Sequence, residues 1–260
     1  MTAPSETQLR ELIVDIGRRM YDRGTVAAND GNISVRMGDN KILTTPTGVS
    51  KGFMNAGAMV IVDSQGDVLT HGRPSTELPM HLFVYQHRPD VHAVVHAHPP
   101  YATGFATAGL SLDKCVLAEI IVTIGTIPLA EYGTPSTEEL PNTLKPYIHS
   151  CDAFFMANHG VVTVGKDLMD AYFKMERVEH YAKIIFIARA LGGENVLPKE
   201  QVEKLYDLRE FYGATSLNPG CYACHDECIE DSCVNYDVKY DQLGPDKFNE
   251  VVEKVLEAVR

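Results

Sequence analysis

Long apolar runs are missing from this chain: nowhere do about 18 apolar residues follow one another, the length a bilayer-spanning helix needs. Residues Met1 to Ser5 carry no basic segment leading into an apolar one, the pattern of a secretory leader, so a cytoplasmic protein with no membrane partner is expected. Positive charge is scarce. Lysine and arginine number 23 against 35 aspartates and glutamates, a formal net charge of −12, which opposes nucleic-acid backbones and anionic lipid unless a local basic stripe compensates, and none is found. Cysteine is sparse, at six residues, and Cys115 and Cys151 stand alone, which suits small buried thiols better than disulfides. What is present is apolar content of 45% with 22% charged residues over 260 positions, enough for a sizeable core and against a disordered or fibrous chain. One α/β domain is the simplest expectation.

Periodicity divides the chain. Leu9, Leu12, Ile13, Ile16 and Met20 recur at helical spacing, with Ser5 and Gln8 placed as a capping box and Gly24 as a stop, which predicts a helix over 5–23. Alternation around Ile33 to Val35, a turn at Gly38 to Asn40, and Ile42 to Thr44 predict a β-hairpin, with Met59 to Val62 extending the sheet. A short helix is expected over 76–87, capped by Thr76, with Pro79 in its first turn. Ala93 to His98 reads as a strand ended by Pro99 and Pro100; Ala153 to Met156 and Val161 to Val164 read as two more. A long helix from Asp167 to about Leu191 should close at Gly192 and Gly193, and another helix is expected over 198–212. Past Gly213 the composition turns to cysteines and acids, followed by an amphipathic stretch from Asp246. The expected division is a catalytic domain over 1–213 and a Cys-rich extension with a terminal helix over 214–260.

Chemistry concentrates in a few places. Side chains two apart on a strand share a face, so His96 and His98 can present two imidazoles side by side, the beginning of a site for zinc or a neighbouring transition metal. His159, after an apolar strand and before Gly160, is the candidate third ligand; each motif alone also occurs in purely structural settings. Gly31 to Ser34 and Thr45 to Gly52 are loops of small hydroxyls and glycines, and Ser75-Thr76 opens a helix, so each can offer N–H groups to an anion or be an ordinary turn. Glu77 either complements the helix dipole or acts as a general base beside a metal-bound substrate.

Gly31-Asn32-Ile33-Ser34, Thr45-Pro46-Thr47-Gly48, Ser75-Thr76-Glu77, His96-Ala97-His98 and Asn158-His159-Gly160 resemble, in order and approximate spacing over about residues 8–212, the class II aldolase/adducin family, which includes L-fuculose-1-phosphate aldolase. The resemblance implies an αβα fold with a central, mostly antiparallel sheet flanked by helices, and a homotetramer with active sites between subunits. It implies that His96, His98 and His159 hold one divalent ion, zinc or else manganese, cobalt or iron, with Glu77 as acid/base and fourth ligand. It also implies that Asn32, Thr47, Gly48, Ser75 and Thr76 hold a substrate phosphate. The related epimerases carry aspartate where Glu77 stands, so the resemblance leans toward cleavage of a ketose 1-phosphate into dihydroxyacetone phosphate and an aldehyde. Dehydration, 4-epimerisation or decarboxylation through the same enolate, and a non-catalytic adducin-like head, are the alternatives. Two departures stand out. No tyrosine lies in Leu117 to Val122, where the aldolases have a proton donor from the neighbouring chain; Glu119 is the candidate replacement, if an apolar setting raises its pKa, while Tyr212 matches their C-terminal tyrosine. Cys221, Cys224, Cys228 and Cys233 offer ligands for a second, structural metal, or form a local thiol cluster.

Overall fold

The computed structural model describes residues 4–38, 40–209 and 211. Helix α1 (Glu6–Asp22) starts with the predicted reciprocal cap: Ser5 accepts from the Gln8 backbone, and the Gln8 side chain accepts from the Ser5 N–H. Its apolar stripe, Leu9, Ile13, Ile16 and Met20, is buried. Strands β1 (Asn32–Gly38), β2 (Lys41–Thr44) and β3 (Val60–Asp63) form the expected antiparallel set. Helix α2 (Leu78–His87) follows, then β4 (Ala93–Ala97), α3 (Pro100–Thr107), α4 (Ala118–Thr123), β5 (Leu129–Ala130), α5 (Glu139–Thr143), β6 (Ala153–Met156), β7 (Gly160–Gly165), α6 (Leu168–Ala190) and α7 (Lys199–Asp207).

The described strands make one sheet in the order β3-β2-β1-β4-β7-β6-β5, antiparallel except for β5 beside β6. Both faces are covered, which is why the strands read as nearly continuous apolar runs. Alternate residues feed two cores. Ile33, Val35, Val95, Ala97, Phe155 and Val161 pack with α1, α3 and α6, while Val60, Val62, Val94, Phe154, Val162 and Val164 pack with α2 and α5. The expected αβα arrangement with a mostly antiparallel sheet is therefore observed.

Four local expectations need correction. Helix α2 begins at Leu78, two residues after Thr76, and no side chain caps it; Ser75 instead accepts from the Glu77 N–H and closes a tight turn before the helix. Strand β4 stops at Ala97, and His98 follows it. Pro99 and Pro100 end that strand but also start α3, since a proline in a first helical turn forfeits no intrahelical bond. Helix α7 ends at Asp207, short of residue 212.

Candidate metal and anion site

The sheet's central strands bring the chemistry together. Asn32 lies directly opposite His96 across the β1–β4 pair, and His96 lies opposite Val162 across the β4–β7 pair. Asn32, Ser34, Val94 and His96 therefore share the face that α2 covers. His98 follows one residue beyond β4, and His159 immediately precedes β7. Their ligand nitrogens lie within 4.8 Å of one another.

Gly160 makes this convergence feasible. A Cβ at that position would stand 2.5 Å from His98 Cδ2, 2.6 Å from the Ala97 carbonyl and 3.2 Å from His96 Cε1, closer than a methyl group tolerates. Gly31 has a similar role at the start of β1, with φ +76° and a would-be Cβ 2.8 Å from the His96 carbonyl.

Hydrogen bonds orient the rings. His96 Nδ1 donates to the Val161 carbonyl at 2.9 Å, which leaves Nε2 as the free lone pair of the neutral ring. Asp30 lies 3.5 Å from His98 Nδ1, and His98 Nε2 faces His96 Nε2 at 3.1 Å. Glu77 reaches both sides, with Oε2 3.2 Å from His96 Nε2 and Oε1 3.1 Å from His159 Nε2. Lone pairs and a carboxylate aimed at one point repel unless a proton or a cation lies between them, and three imidazoles with an open side are the donor set of a catalytic zinc-type ion. The residues fit such an ion.

The local electrostatics follow from burial and crowding. Burial favours the neutral form of Glu77, but the neighbouring His96 and His159 rings outweigh it and hold the carboxyl well below its usual range. His96 is raised: burial alone would lower it, and Glu77 outweighs burial. His98 is pushed down to about 4 by burial and by the two neighbouring rings.

The candidate anion loops come together near the same place. Thr45 Oγ1 accepts from the Ile33 N–H at 3.1 Å, and the Thr45 carbonyl accepts from the Ser75 N–H at 3.1 Å. Thr47 donates its N–H to the Arg73 carbonyl, and Pro46 bridges Pro74. Thr47, Gly48, Ser75 and Thr76 are thus gathered beside Glu77, to which Asn32 Nδ2 donates at 2.7 Å. Lys51 is buried with its ammonium on the Asn29 and Val49 carbonyls, tying the two glycine-bearing loops, and burial lowers it to about 8.

Other candidates fall elsewhere. Glu119 is exposed on α4, so the apolar setting expected for it is absent among the described residues. Tyr212, Cys221, Cys224, Cys228, Cys233 and the stretch from Asp246 lie outside the described residues. Cys115 and Cys151 are buried, as expected. Asp30, His81 and Tyr85 reach the site or its supports without having been singled out. The available signal for His81 was its place one helical turn after Glu77.

Comparison with known proteins agrees with this geometry. The model of the class II aldolase and adducin N-terminal domain matches residues 11–186. This chain belongs to that family. Among its relatives, the 3-oxo-tetronate 4-phosphate decarboxylase of Haemophilus influenzae is 35% identical over 182 residues, 68% of this chain and 86% of the relative. The L-fuculose phosphate aldolase of Methanococcus maripaludis strain S2 is 37% identical over 178 residues, 68% of this chain and 96% of the relative. Of the solved structures, YgbL from Klebsiella pneumoniae superposes with TM-score 0.73 at 31% identity, covering 78% of this chain and all of its own. An L-fuculose 1-phosphate aldolase does so with TM-score 0.73 at 30% identity, covering 81% and 98%. This class II aldolase-family chain has no helix, among the described residues, long and apolar enough to cross a membrane.

Proposed function

We propose that this protein is a divalent-metal-dependent lyase that cleaves a ketose 1-phosphate to dihydroxyacetone phosphate and an aldehyde. The observation that carries the reading is Glu77, whose carboxylate spans His96 and His159 while its neighbour Ser75 donates its N–H to Thr45 at the start of a candidate anion loop. His96, His98 and His159 would hold the ion, with Glu77 available as a fourth ligand. When bound, the ion supplies Lewis-acid chemistry toward the substrate carbonyl and zinc is the reading adopted, with manganese, cobalt or iron as outcomes of elemental analysis.

Asn32, Thr47, Gly48, Ser75 and Thr76 hold the phosphate in this reading and set the sugar's direction relative to Glu77. As the bond between the third and fourth carbons breaks, its electron pair passes to the third carbon, and Glu77, a carboxylate at rest, takes up a proton from solvent and delivers it there. The fourth-carbon hydroxyl gives its proton to Tyr212 or Glu119. Because Glu119 is exposed on α4, it would act from a neighbouring subunit of a homotetramer, the assembly this reading requires and sedimentation equilibrium tests. The cytoplasm is the location assigned, and a folded catalytic unit over 1–213 with a separate extension over 214–260 completes the reading. A second ion per chain would point to the four extension cysteines.

The Haemophilus influenzae relative favours a second reaction, loss of carbon dioxide from a 3-oxo acid phosphate through the same enolate. Product analysis separates the two. Incubation of the metal-loaded protein with ketose 1-phosphates should release dihydroxyacetone phosphate in a coupled assay. Release of carbon dioxide from a 3-oxo-tetronate phosphate, with no cleavage of any ketose, would replace the aldolase reading by the decarboxylase.

A further inference from the structure

Glu77 is the end of a longer chain of side chains that runs inward through the sheet face. Asn32 Nδ2 donates to Glu77 Oε2 at 2.7 Å, Asn32 Oδ1 meets His81 Nε2 at 2.5 Å, His81 Nδ1 meets Ser34 Oγ at 2.6 Å, and Ser34 Oγ meets Tyr85 OH at 2.7 Å. Asn32, Ser34, His81 and Tyr85 are all buried, His81 at 1% exposure. The links inward of Asn32 are closed to water.

The direction of every proton in this chain follows from its outer end. A carboxylate only accepts, so the amide of Asn32 must turn its NH2 toward Glu77 and its carbonyl toward His81. His81 must then carry its proton on Nε2, which leaves Nδ1 as an acceptor and makes Ser34 its donor. Ser34 has spent its only proton, so Tyr85 donates to Ser34. The other ring tautomer would call for the flipped amide, with the Asn32 carbonyl against Glu77 at a distance where two acceptors repel. One tautomer of His81 and one orientation of Asn32 are therefore the same state.

We propose that His81 is a positioning residue: neutral and protonated on Nε2, it locks the Asn32 amide with its NH2 toward Glu77, while Ser34, backed by Tyr85, donates to the Nδ1 lone pair and holds the ring in place. Burial, which disfavours a charged ring and pushes His81 down to about 3, agrees with a neutral imidazole. The roles of Asn32 and Glu77 rest on the function proposed above; the tautomer does not.

Two measurements on the full metal-loaded chain test this. Nitrogen-15 NMR of labelled histidine, assigned by comparison with His81→Gln, should show His81 as the neutral Nε2–H tautomer; the Nδ1–H tautomer or an imidazolium at pH 7 would overturn the proposal. In turnover, His81→Leu should lower kcat/KM by about 10- to 100-fold, the range for losing a supporting hydrogen bond at such a site. His81→Gln, whose NH2 can reach the Asn32 carbonyl, should recover most of that loss. A packing role predicts the reverse order, because leucine fills the space better than glutamine. His81→Leu within twofold of wild type would overturn the proposal. If His81→Leu does not fold, Ser34→Ala serves: leaving His81 Nδ1 without its donor loosens the ring and should lower kcat/KM with metal content unchanged, and full activity would overturn the proposal. Should no sugar phosphate be turned over at all, the proposed function fails, and the NMR tautomer decides the hydrogen-bond chain by itself.

Discussion

Two residues carry more of the site than their size suggests. Gly160 is a spacer whose missing Cβ leaves room for the His96 and His98 rings. Gly160→Ala should weaken zinc binding by about 10- to 100-fold while the fold survives, the scale expected when ligands are misplaced rather than removed. Calorimetric titration of zinc into the variant checks this, and an unchanged affinity would mean the rings do not converge on an ion. His81 matters through stability. Its folded value, near 3, lies below the ordinary histidine value because burial and the facing His96 ring disfavour its charge, with Glu77 opposing them only in part. Between about pH 6.5 and pH 3 the unfolded chain therefore binds a proton that the folded chain refuses, so stability falls as pH falls through that window, by about 1.4 kcal/mol per unit. Urea unfolding at pH 7 and pH 5 should show a steeper loss for wild type than for His81→Gln; equal losses would remove His81 as the cause. Much of this was legible in the sequence: His96, His98, His159 and Glu77 stand together as their motifs imply. Asp30 and Tyr85 were not, because nothing in a linear pattern tells a buried link from an ordinary polar residue.

At the scale of elements, the segments that declared themselves had local chemistry agreeing with their packing. Helix α1 combined a capping box with a full apolar stripe, and α6 had Asp167 as a cap and paired glycines after it. Helix α3 was hidden by Pro99 and Pro100, whose strand-ending role masked their helix-starting one. The stretch holding α4, β5 and α5 stayed unread because these elements have six, two and five residues, too short for a period to show. A buried ion network joins elements that lie far apart in sequence. Arg88, just after α2, pairs with Asp152 before β6 at 2.9 Å, and Lys174 of α6 pairs with the other Asp152 oxygen at 2.9 Å. All three are buried. Asp152→Ala leaves two cations without their shared partner and should cost about 3–5 kcal/mol in urea unfolding, since unpaired buried charge is far more costly than the pair is favourable. A loss below about 1 kcal/mol would show that Asp90 and Asp170, which also pair with Arg88 and Lys174, suffice.

For the whole molecule, an acidic chain of net charge −12 gathers a carboxylate, three imidazoles and hydroxyl-bearing loops at one end of its central strands. The central claim is that His96, His98 and His159 hold one divalent ion. The direct measurement is zinc titration of metal-stripped protein, followed calorimetrically, for wild type and for His96→Ala. Wild type should show a tight site of about one ion per chain that is lost in His96→Ala while the variant stays folded. A His96→Ala protein that still bound zinc tightly at the same stoichiometry, or a folded wild type that bound none, would contradict it.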